Sequence, residues 1–385
     1  MTLQPEKRGV LPAQHLRQAI ADKWIWSETY QMPESLVQPA SVDLRIGDTA
    51  YRLRCSFLPD HATVEEKLSQ YGMDELDLGR GGAVLERNRP YLIPLVEELR
   101  LPTWLSGRTN PKSSTGRLDI FTRVITDKSY RFDEIKAGYH GRMYLEVVSR
   151  SFTIKVESRL SLNQLRLFNG VAKCSDDEIR TLNDQSPLLY RGNEPIDSSR
   201  LAVGGGLFLG LDLKGDDDGV VGYHAKKNSH LLDLSRLDYY DAEDYWEPVR
   251  RERGNRIVLE PEDFYLLLSE ESVRIPPSHA AEMTAYDPTS GELRTHYAGF
   301  FDPGFGYSRE MNMGSRAALE VRAHDVPFMV EHGQKVCKLS FDKMAEEPSL
   351  LYGEDLQSHY QFQMGTLSKH FHRPVPPPRQ MSFIT

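Results

Sequence analysis

The stretch RMYLEVVS (residues 142–149) sets the fold class, and it returns in altered form as AALEVRA (317–323). Both stretches place apolar and β-branched residues next to polar or small ones, a pattern typical of a half-buried strand. Their shared LEV segments begin at Leu145 and Leu319, which are 319 − 145 = 174 residues apart. This offset suggests that the chain of 385 residues contains the same unit twice.

Three further pairs keep the offset of 174 residues: RLP (100–102) with RIP (274–276), Tyr91-Leu92 with Tyr265-Leu266, and Leu165 with Leu339. We also treat two looser pairs as equivalent: SVDLRIG (41–47) with GLDLKG (210–215), and SPLLYRG (186–192) with PSLLYG (348–353). Four pairs in one register are hard to obtain by chance. The sequence therefore predicts a tandem duplication.

Each copy is predicted to be mainly β and to form a sandwich or small barrel. Short apolar runs such as FTIKVE (152–157) are separated by Gly, Pro, Asn and Asp. Helical patterns are few, and they are PAQHLRQAIADKW (12–24) and EEKLSQYG (65–72). The polar stretch 171–206 is the expected seam, and we divide the chain into units of residues 1–190 and 191–385.

Composition restricts the partners and the compartment. The formal net charge of −9 argues against broad nucleic-acid binding. No apolar run reaches the roughly 18 residues of a membrane span, and the N-terminus lacks the apolar core of a signal peptide. Cys55, Cys174 and Cys337 lie far apart, which predicts a reducing cytoplasm. Since no Cys-x-x-Cys or His-x-Glu signature occurs, we predict no protein-bound zinc or other metal site.

The loop SGRTNPKSSTGRLD (106–119) looks like an incomplete phosphate loop. A P-loop has Gly, four residues and then Gly-Lys-Ser/Thr, whereas the four residues after Gly107 are followed directly by Lys112 and Ser113. Asn-Pro and serine clusters also form ordinary turns. The residues alone leave open a degenerate nucleotide loop, a plain turn and a phosphate site of another design.

Five segments in order carry a resemblance to a known family: QPASVDLRIG (38–47), KSSTGRLDI (112–120), AGYHGRMYLEV (137–147), NQLRLF (163–168) and YGEDLQSHYQFQMGTLS (352–368). Together they resemble the dCTP deaminase branch of the trimeric dUTPase superfamily. The resemblance implies a tandem pair of dUTPase-like units, each a distorted jelly roll or β-clip with few short helices. It also implies that the last segment is a closing arm.

The resemblance implies hydrolysis of dCTP to dUTP and ammonia without zinc, which would feed dUMP and dTTP synthesis. In the family a glutamate serves as general acid and base, and Glu146 in YLEV matches its position. Arg117 and Ser113 match the residues that hold the attacking water. Mg²⁺ would be bound through the triphosphate rather than by a protein cage. The implied nucleotide-binding residues are Lys112, Ser114, Thr126, Tyr139, Asp302, Tyr352 and Gln363.

The two copies have lost different motifs. A shift of 174 residues replaces Ser113, Ser114 and Arg117 of the loop by Asp287, Pro288 and Gly291. Conversely, the family's Asp-Pro-Gly hairpin survives only at 302–304 of the second copy. This complementary loss predicts one composite active site per chain.

Both copies keep the LE glutamate, as Glu146 and Glu320. We favour Glu146 as the catalytic carboxylate, because its ten-residue distance from Lys136 (146 − 136) keeps the hairpin length of the family. Glu320 is the other candidate. In the arm, His359 stands where the family has a lysine, which weakens the expected triphosphate clamp.

Three alternatives stay open. The chain could be a dUTP pyrophosphatase, a bifunctional enzyme that makes dUMP from dCTP, or a nucleotide-binding regulator without catalysis. The glutamate in both copies favours deamination, because pyrophosphatases of the superfamily lack it. The expected ligands are dCTP and dUTP. The trimers of the family suggest self-association as a homotrimer.

Overall fold

The computed structural model describes residues 7–285, 293–295, 299–309, 313–323, 325–353, 355–356, 360–362 and 365–372. Within these residues the helices are α1 (Ala13–Ala21), α2 (Val64–Tyr71), α3 (Ser113–Gly116) and α4 (Asp176–Gln185), and the 3₁₀ turns are Glu34–Leu36, Ser198–Arg200 and Ala242–Asp244. No helix in this part of the chain is long and apolar enough to cross a membrane.

The first copy contains strands β1 (Gly9–Val10), β2 (Ile25–Trp26), β3 (Val42–Arg45), β4 (Thr49–Leu53), β5 (Gly72–Asp77), β6 (Ala83–Leu85), β7 (Tyr91–Arg100), β8 (Leu105–Pro111), β9 (Ile120–Thr126), β10 (Glu134–Ile135), β11 (His140–Ser149), β12 (Ile154–Val156) and β13 (Ser161–Asn169). The second contains β14 (Leu189–Arg191), β15 (Glu194–Pro195), β16 (Leu207–Gly210), β17 (Val220–Ala225), β18 (Leu232–Asp233), β19 (Trp246–Arg250), β20 (Arg256–Leu259), β21 (Phe264–Val273), β22 (His279–Ala285), β23 (Leu293–Thr295), β24 (Phe300–Phe301), β25 (Ser315–Ala323), β26 (Phe328–Glu331) and β27 (Lys335–Lys343).

The predicted mainly β fold is confirmed, and the two copies have the same topology. One sheet of the first copy runs β5-β4-β7-β11-β9, and its counterpart has β19-β17-β21-β25-β23 paired in the same way. The facing sheets are β3-β13-β8-β10 and β16-β27-β22-β24. These pairings are antiparallel. Apolar side chains of both sheets share one buried core in each copy, so each copy is a sandwich of two packed sheets.

Strand register confirms the duplication residue by residue. Glu146 lies opposite Leu92 and Glu320 lies opposite Leu266. Both differences, 320 − 146 and 266 − 92, equal 174. The copies also contact each other at equivalent positions, because Arg108 of β8 forms an ion pair at 3.2 Å with Glu282 of β22. Since 282 − 108 is again 174, the two copies face each other across these strands.

The two looser sequence pairs were wrong. Val42 pairs with Leu165, and Leu207 pairs with Leu339 in the same way, so the equivalent of 42–45 is 207–210 rather than 210–215. The register of the strand pairs, and not the sequence similarity of the two segments, fixes this alignment. The segment 186–192 contains β14, which pairs with β21 as β2 pairs with β7. It therefore corresponds to β2 and not to 348–353.

The seam between the copies lies earlier than the predicted division at 190. Cys174, together with Ile179 and Leu182 of α4, belongs to the buried core of the second copy. Ser175 and Glu178 form a capping box at the start of α4. The polar stretch resembled a linker because α4 buries only a narrow apolar stripe. Both helical patterns predicted in the first copy do form helices, α1 and α2.

Candidate active site

A cavity of about 300 Å³ lies where the two copies meet the C-terminal segment. The first copy contributes the turn after β8, and the second contributes β25 and the hairpin around Asp302. Tyr352, Leu356, Tyr360 and Lys369 of the C-terminal segment cover one side. Residues that line the cavity include Lys112, Ser113, Ser114, Gly116, Arg117, Gln164, Phe300, Asp302, Phe305, Glu320, Tyr352, Tyr360 and Lys369.

The turn after β8 is a single helical turn, not the start of a long helix. The Lys112 amide donates to the Leu162 carbonyl at 3.0 Å, and the Arg117 amide donates to the Ser113 carbonyl at 3.1 Å. These bonds hold Ser113, Ser114 and Arg117 at the cavity. Since α3 has only four residues and its flanking strands β8 and β9 pair antiparallel with β13 and β11, the loop does not have the setting of a P-loop.

Arg117 joins this turn to the C-terminal segment. Its guanidinium stacks 3.8 Å from the ring centroid of Tyr360, and its Nη1 donates to the Thr366 carbonyl at 3.1 Å. Ser368 Oγ donates to the Ser114 carbonyl at 3.0 Å. The C-terminal segment therefore closes over the turn and fixes the orientation of Arg117.

Glu320 comes from the other copy and faces the same turn. A Cβ added at Gly116 would lie 2.8 Å from both carboxylate oxygens of Glu320, so the backbone of the turn lies directly over the carboxyl group. Burial raises the pKa of Glu320 to about 8, with Arg117 acting against this shift and Asp119 adding to it. Protein atoms enclose the carboxyl group, yet it still lines the cavity. Such a group can exchange a proton near neutral pH.

Asp302 connects the hairpin of the second copy to a strand of the first. Its Oδ1 accepts from Arg166 Nη2 at 2.8 Å, and its Oδ2 accepts from Ser41 Oγ at 3.5 Å. Arg166 is fully buried and its guanidinium lies 3.9 Å from the ring centroid of Phe300. Burial raises the pKa of Asp302, and Arg166 opposes the shift. Without Arg166 the carboxylate would be a buried unpaired charge.

Tyr352 and Gln361 of the C-terminal segment contact this hairpin. Gly304 has a φ of +99°, and a Cβ there would lie 2.7 Å from the Tyr352 nitrogen, so only glycine fits. The Tyr352 amide donates to the Pro303 carbonyl at 2.9 Å. Gln361 Nε2 donates to the Gly304 carbonyl at 3.1 Å, and Gln361 Oε1 accepts from the Gly306 amide at 3.0 Å. Tyr352 is thereby held in the cavity wall.

Two family models match consecutive parts of the chain. They describe the N-terminal domain of 2'-deoxycytidine 5'-triphosphate deaminase over residues 7–171 and its C-terminal domain over residues 175–371. The chain belongs to the dCTP deaminase family. The boundary between the two family domains also coincides with the seam before α4.

Solved and curated relatives agree with this family. The crystal structure of 2'-deoxycytidine 5'-triphosphate deaminase from Agrobacterium tumefaciens is 43% identical, with a TM-score of 0.84. The match covers 91% of this chain and all of that one. A dCTP deaminase, dUMP-forming, from Methanothermobacter thermautotrophicus is 27% identical over 144 residues, 36% of this chain and 68% of the relative. Another with that name, from Parafrankia sp., is 33% identical over 138 residues, 35% of this chain and 64% of the relative.

The dCTP deaminase fold does not bring every predicted site residue to the cavity. Glu146 is buried on β11 and forms an ion pair with Arg123, whose Nε lies 3.0 Å from Glu146 Oε1. Thr126 and Tyr139 lie near the same sheet of the first copy and are likewise absent from the described lining of the cavity. The structure places Glu320 at the Ser113–Arg117 turn, and Glu146 lies away from it.

The remaining predicted residues either line the cavity or lie outside the described residues. Lys112, Ser113, Ser114, Arg117, Asp302 and Tyr352 all line the cavity. Gln363 and His359 lie outside the described residues, as do Asp287, Pro288 and Gly291. Among the residues that the structure describes, no three His, Cys, Asp or Glu side chains are grouped so that they could hold a metal ion.

Lys369 is a cavity residue that the sequence analysis missed. It lies near Lys112, whose Nζ forms an ion pair with Asp43. Burial and the charge of Lys112 lower the pKa of Lys369, while Asp43 acts against this shift. Lys369 follows the arm motif in sequence, and no motif marked it. Two lysines side by side form a local positive region, although the net charge of the chain is −9.

Proposed function

We propose that this dCTP deaminase family member hydrolyses dCTP to dUTP and ammonia in the composite cavity. One observation carries the proposal: the Glu320 carboxyl of the second copy lies against the Gly116 backbone of the first copy, beside Ser113 and Arg117. A proton-exchanging carboxyl group and two water-holding groups are what hydrolytic deamination requires of the protein.

In the proposed mechanism Ser113 and Arg117 hold a water molecule at C4 of cytosine. The Glu320 carboxylate takes a proton from this water as the oxygen attacks C4, and N3 receives that proton. The second proton of the water then moves through Glu320 to the exocyclic amine, the C4–N bond breaks and ammonia leaves. The product is uracil, and Glu320 returns to its starting state. A pKa of about 8 lets one group perform both transfers.

The remaining cavity residues suggest how the nucleotide is oriented. The rings of Phe300 and Phe305 give the hairpin side an apolar wall suited to the base or sugar. Lys112, Ser114 and Lys369 form a polar, cationic side suited to the triphosphate. Mg²⁺ would arrive with the substrate, bound through phosphate oxygens and water. The proposed route uses side chains of the chain itself and no zinc.

The experiment is ammonia release from dCTP with Mg²⁺, by the wild type and by Glu320→Gln and Glu146→Gln. We expect the first variant to lose at least about 100-fold in kcat, and the second to keep activity within a few-fold. The reverse order would overturn the assignment of Glu320. Loss of wild-type activity with a zinc chelator would contradict the zinc-free route. Tight dCTP binding without ammonia would instead favour a regulator.

A bifunctional enzyme is the second candidate, because the curated relatives are named dUMP-forming. A triphosphate held between Lys112 and Lys369 would be well placed for loss of pyrophosphate. Separate incubations with dCTP and dUTP, with assays of ammonia and pyrophosphate, distinguish the candidates. Pyrophosphate from both substrates would establish bifunctionality, and ammonia alone would establish a simple deaminase.

A further inference from the structure

The turn that faces Glu320 ends at Asp119 in an unusual conformation. Asp119 has a φ of +56°, the left-handed region that favours glycine, although aspartate tolerates it better than most residues. Its side chain is nevertheless fully buried. A buried carboxylate in this conformation needs compensating contacts from the surrounding structure.

One of those contacts comes from the other copy. Arg322 on β25 forms a buried ion pair with Asp119 through Nη2, and its Nη1 donates to the Glu262 carbonyl. Ser151 Oγ donates to Asp119 Oδ2 at 2.5 Å. Arg322 follows Glu320 by two residues on the same strand, so both side chains leave β25 on the same face. The ion pair therefore joins the end of the turn to the strand that carries Glu320.

We propose that Asp119 is a positioning residue for the deamination. Through Arg322 it fixes the turn of residues 113–119 against the Glu320 strand, and its buried charge acts on the Glu320 carboxyl group. The inference rests on the proposed function and adds a residue that no family motif assigned. It makes the geometry of the composite site depend on one ion pair between the two copies.

Several charged groups surround Glu320, and a test must separate their effects on its pKa. Arg117, Asp119 and Arg322 flank it on the turn and the strand, while Asp302 and Lys369 line the same cavity. Among the described residues of the arm, Tyr352 and Tyr360 are the titratable groups that line the cavity. Of these charges, Arg117 favours the ionised carboxylate and Asp119 favours the protonated acid. Arg322 carries the charge opposite to that of Asp119, so removing Arg322 should shift the pKa of Glu320 in the direction opposite to removing Asp119.

The test measures kcat/KM for dCTP against pH in Asp119→Asn, Arg322→Met and the double variant. The acid limb of this profile is the range in which kcat/KM falls because Glu320 becomes protonated. In Asp119→Asn this limb should move to lower pH by at least about 0.5 unit, since a negative charge is lost and Arg322 is left uncompensated. In Arg322→Met it should move to higher pH, and the double variant should lie between the two. Asp119→Gly, in which glycine tolerates the positive φ, should move the acid limb as Asp119→Asn does and should also raise KM.

The matched control is Glu97→Gln, which breaks the buried Arg45–Glu97 ion pair in the first copy, away from the cavity. It should lower stability without moving the limb. Unchanged limbs in folded Asp119 and Arg322 variants, or shifts of the same sign, would overturn the inference. If the wild type releases no ammonia, the proposed function fails instead. The inference is then tested by infrared titration of the carboxyl band that Glu320→Gln removes.

Discussion

Gly116 and Glu320 belong to different copies, yet no side chain fits between them. A Cβ at Gly116 would lie 2.8 Å from both oxygens of the Glu320 carboxyl group. The backbone of Gly116 has ordinary dihedral angles, since it is not among the residues with positive φ. The glycine is therefore needed for space and not for conformation. The close approach means that the turn and the carboxyl group form one unit.

Gly116→Ala should remove most of the activity while the protein stays folded. The added methyl group must push the Glu320 carboxyl group away from the water held by Ser113 and Arg117. A displacement of about 1 Å can reduce kcat by about 100-fold. Ammonia release and a thermal melt would check this. Gly79→Ala is the control, because Gly79 is exposed away from the cavity and its Cβ would come no closer than 3.3 Å to the end of the Asp77 side chain. Full activity in Gly116→Ala would show that the carboxyl position is not critical.

The pH dependence of kcat/KM should reflect Glu320. The proposed base must be ionised, and burial raises its pKa to about 8. Below that pH kcat/KM should fall about tenfold per unit, because the fraction of carboxylate falls in proportion. Initial rates from pH 5.5 to 9.5 at low dCTP would define this limb. A limb near the ordinary glutamate pKa would contradict the buried setting of Glu320.

The raised pKa of Glu320 also predicts that the stability of the protein depends on pH. Because the folded pKa of Glu320 lies above the unfolded value, the folded state binds the extra proton between about pH 4.5 and 8. Its contribution to stability is fully present below pH 4.5 and is lost as the pH rises through 8. Glu320→Gln should therefore gain about 1–3 kcal/mol over the wild type between pH 5 and pH 9.

Urea unfolding at several pH values would measure this difference. Glu194→Gln, at an exposed position on the second copy, is the control and should show no such trend. A constant difference between Glu320→Gln and the wild type would mean that Glu320 does not titrate in this range.

Much of the site could be predicted from the sequence, because each copy has lost a motif that the other copy keeps. Ser113 and Arg117 survive only in the first copy and the hairpin of Asp302 only in the second, and the structure brings both to one cavity. The sequence could not select between the two glutamates. Glu146 and Glu320 occupy equivalent ladder positions, and only packing between the copies decides which one faces the turn.

Other features depended on contacts that spacing does not reveal. Arg123 lies opposite Glu146 in the β9–β11 ladder and pairs with it, a register that hairpin length alone did not give. The capping box of Ser175 and Glu178 was a readable signal for α4, and it would have moved the predicted seam. The homotrimer stays a prediction.

Lys369→Met should weaken binding of the triphosphate specifically. The arm carries His359 where the family has a lysine, and Lys369 lies in the cavity beside Lys112. Burial next to another cation lowers the pKa of Lys369, so a bound anion would favour its charged form. We expect KM for dCTP to rise about tenfold or more, as for loss of a charged hydrogen bond.

Comparison with dCMP separates phosphate binding from general damage. KM for dCMP should change much less than KM for dCTP, and Lys369→Arg should restore part of the difference because it keeps the charge. Lys214→Met removes an exposed lysine away from the cavity and should leave both values unchanged. If Lys369→Met raised both KM values equally, Lys369 would be holding the arm and not the triphosphate. The cationic side of the cavity would then consist of Lys112 and Arg117 from the first copy.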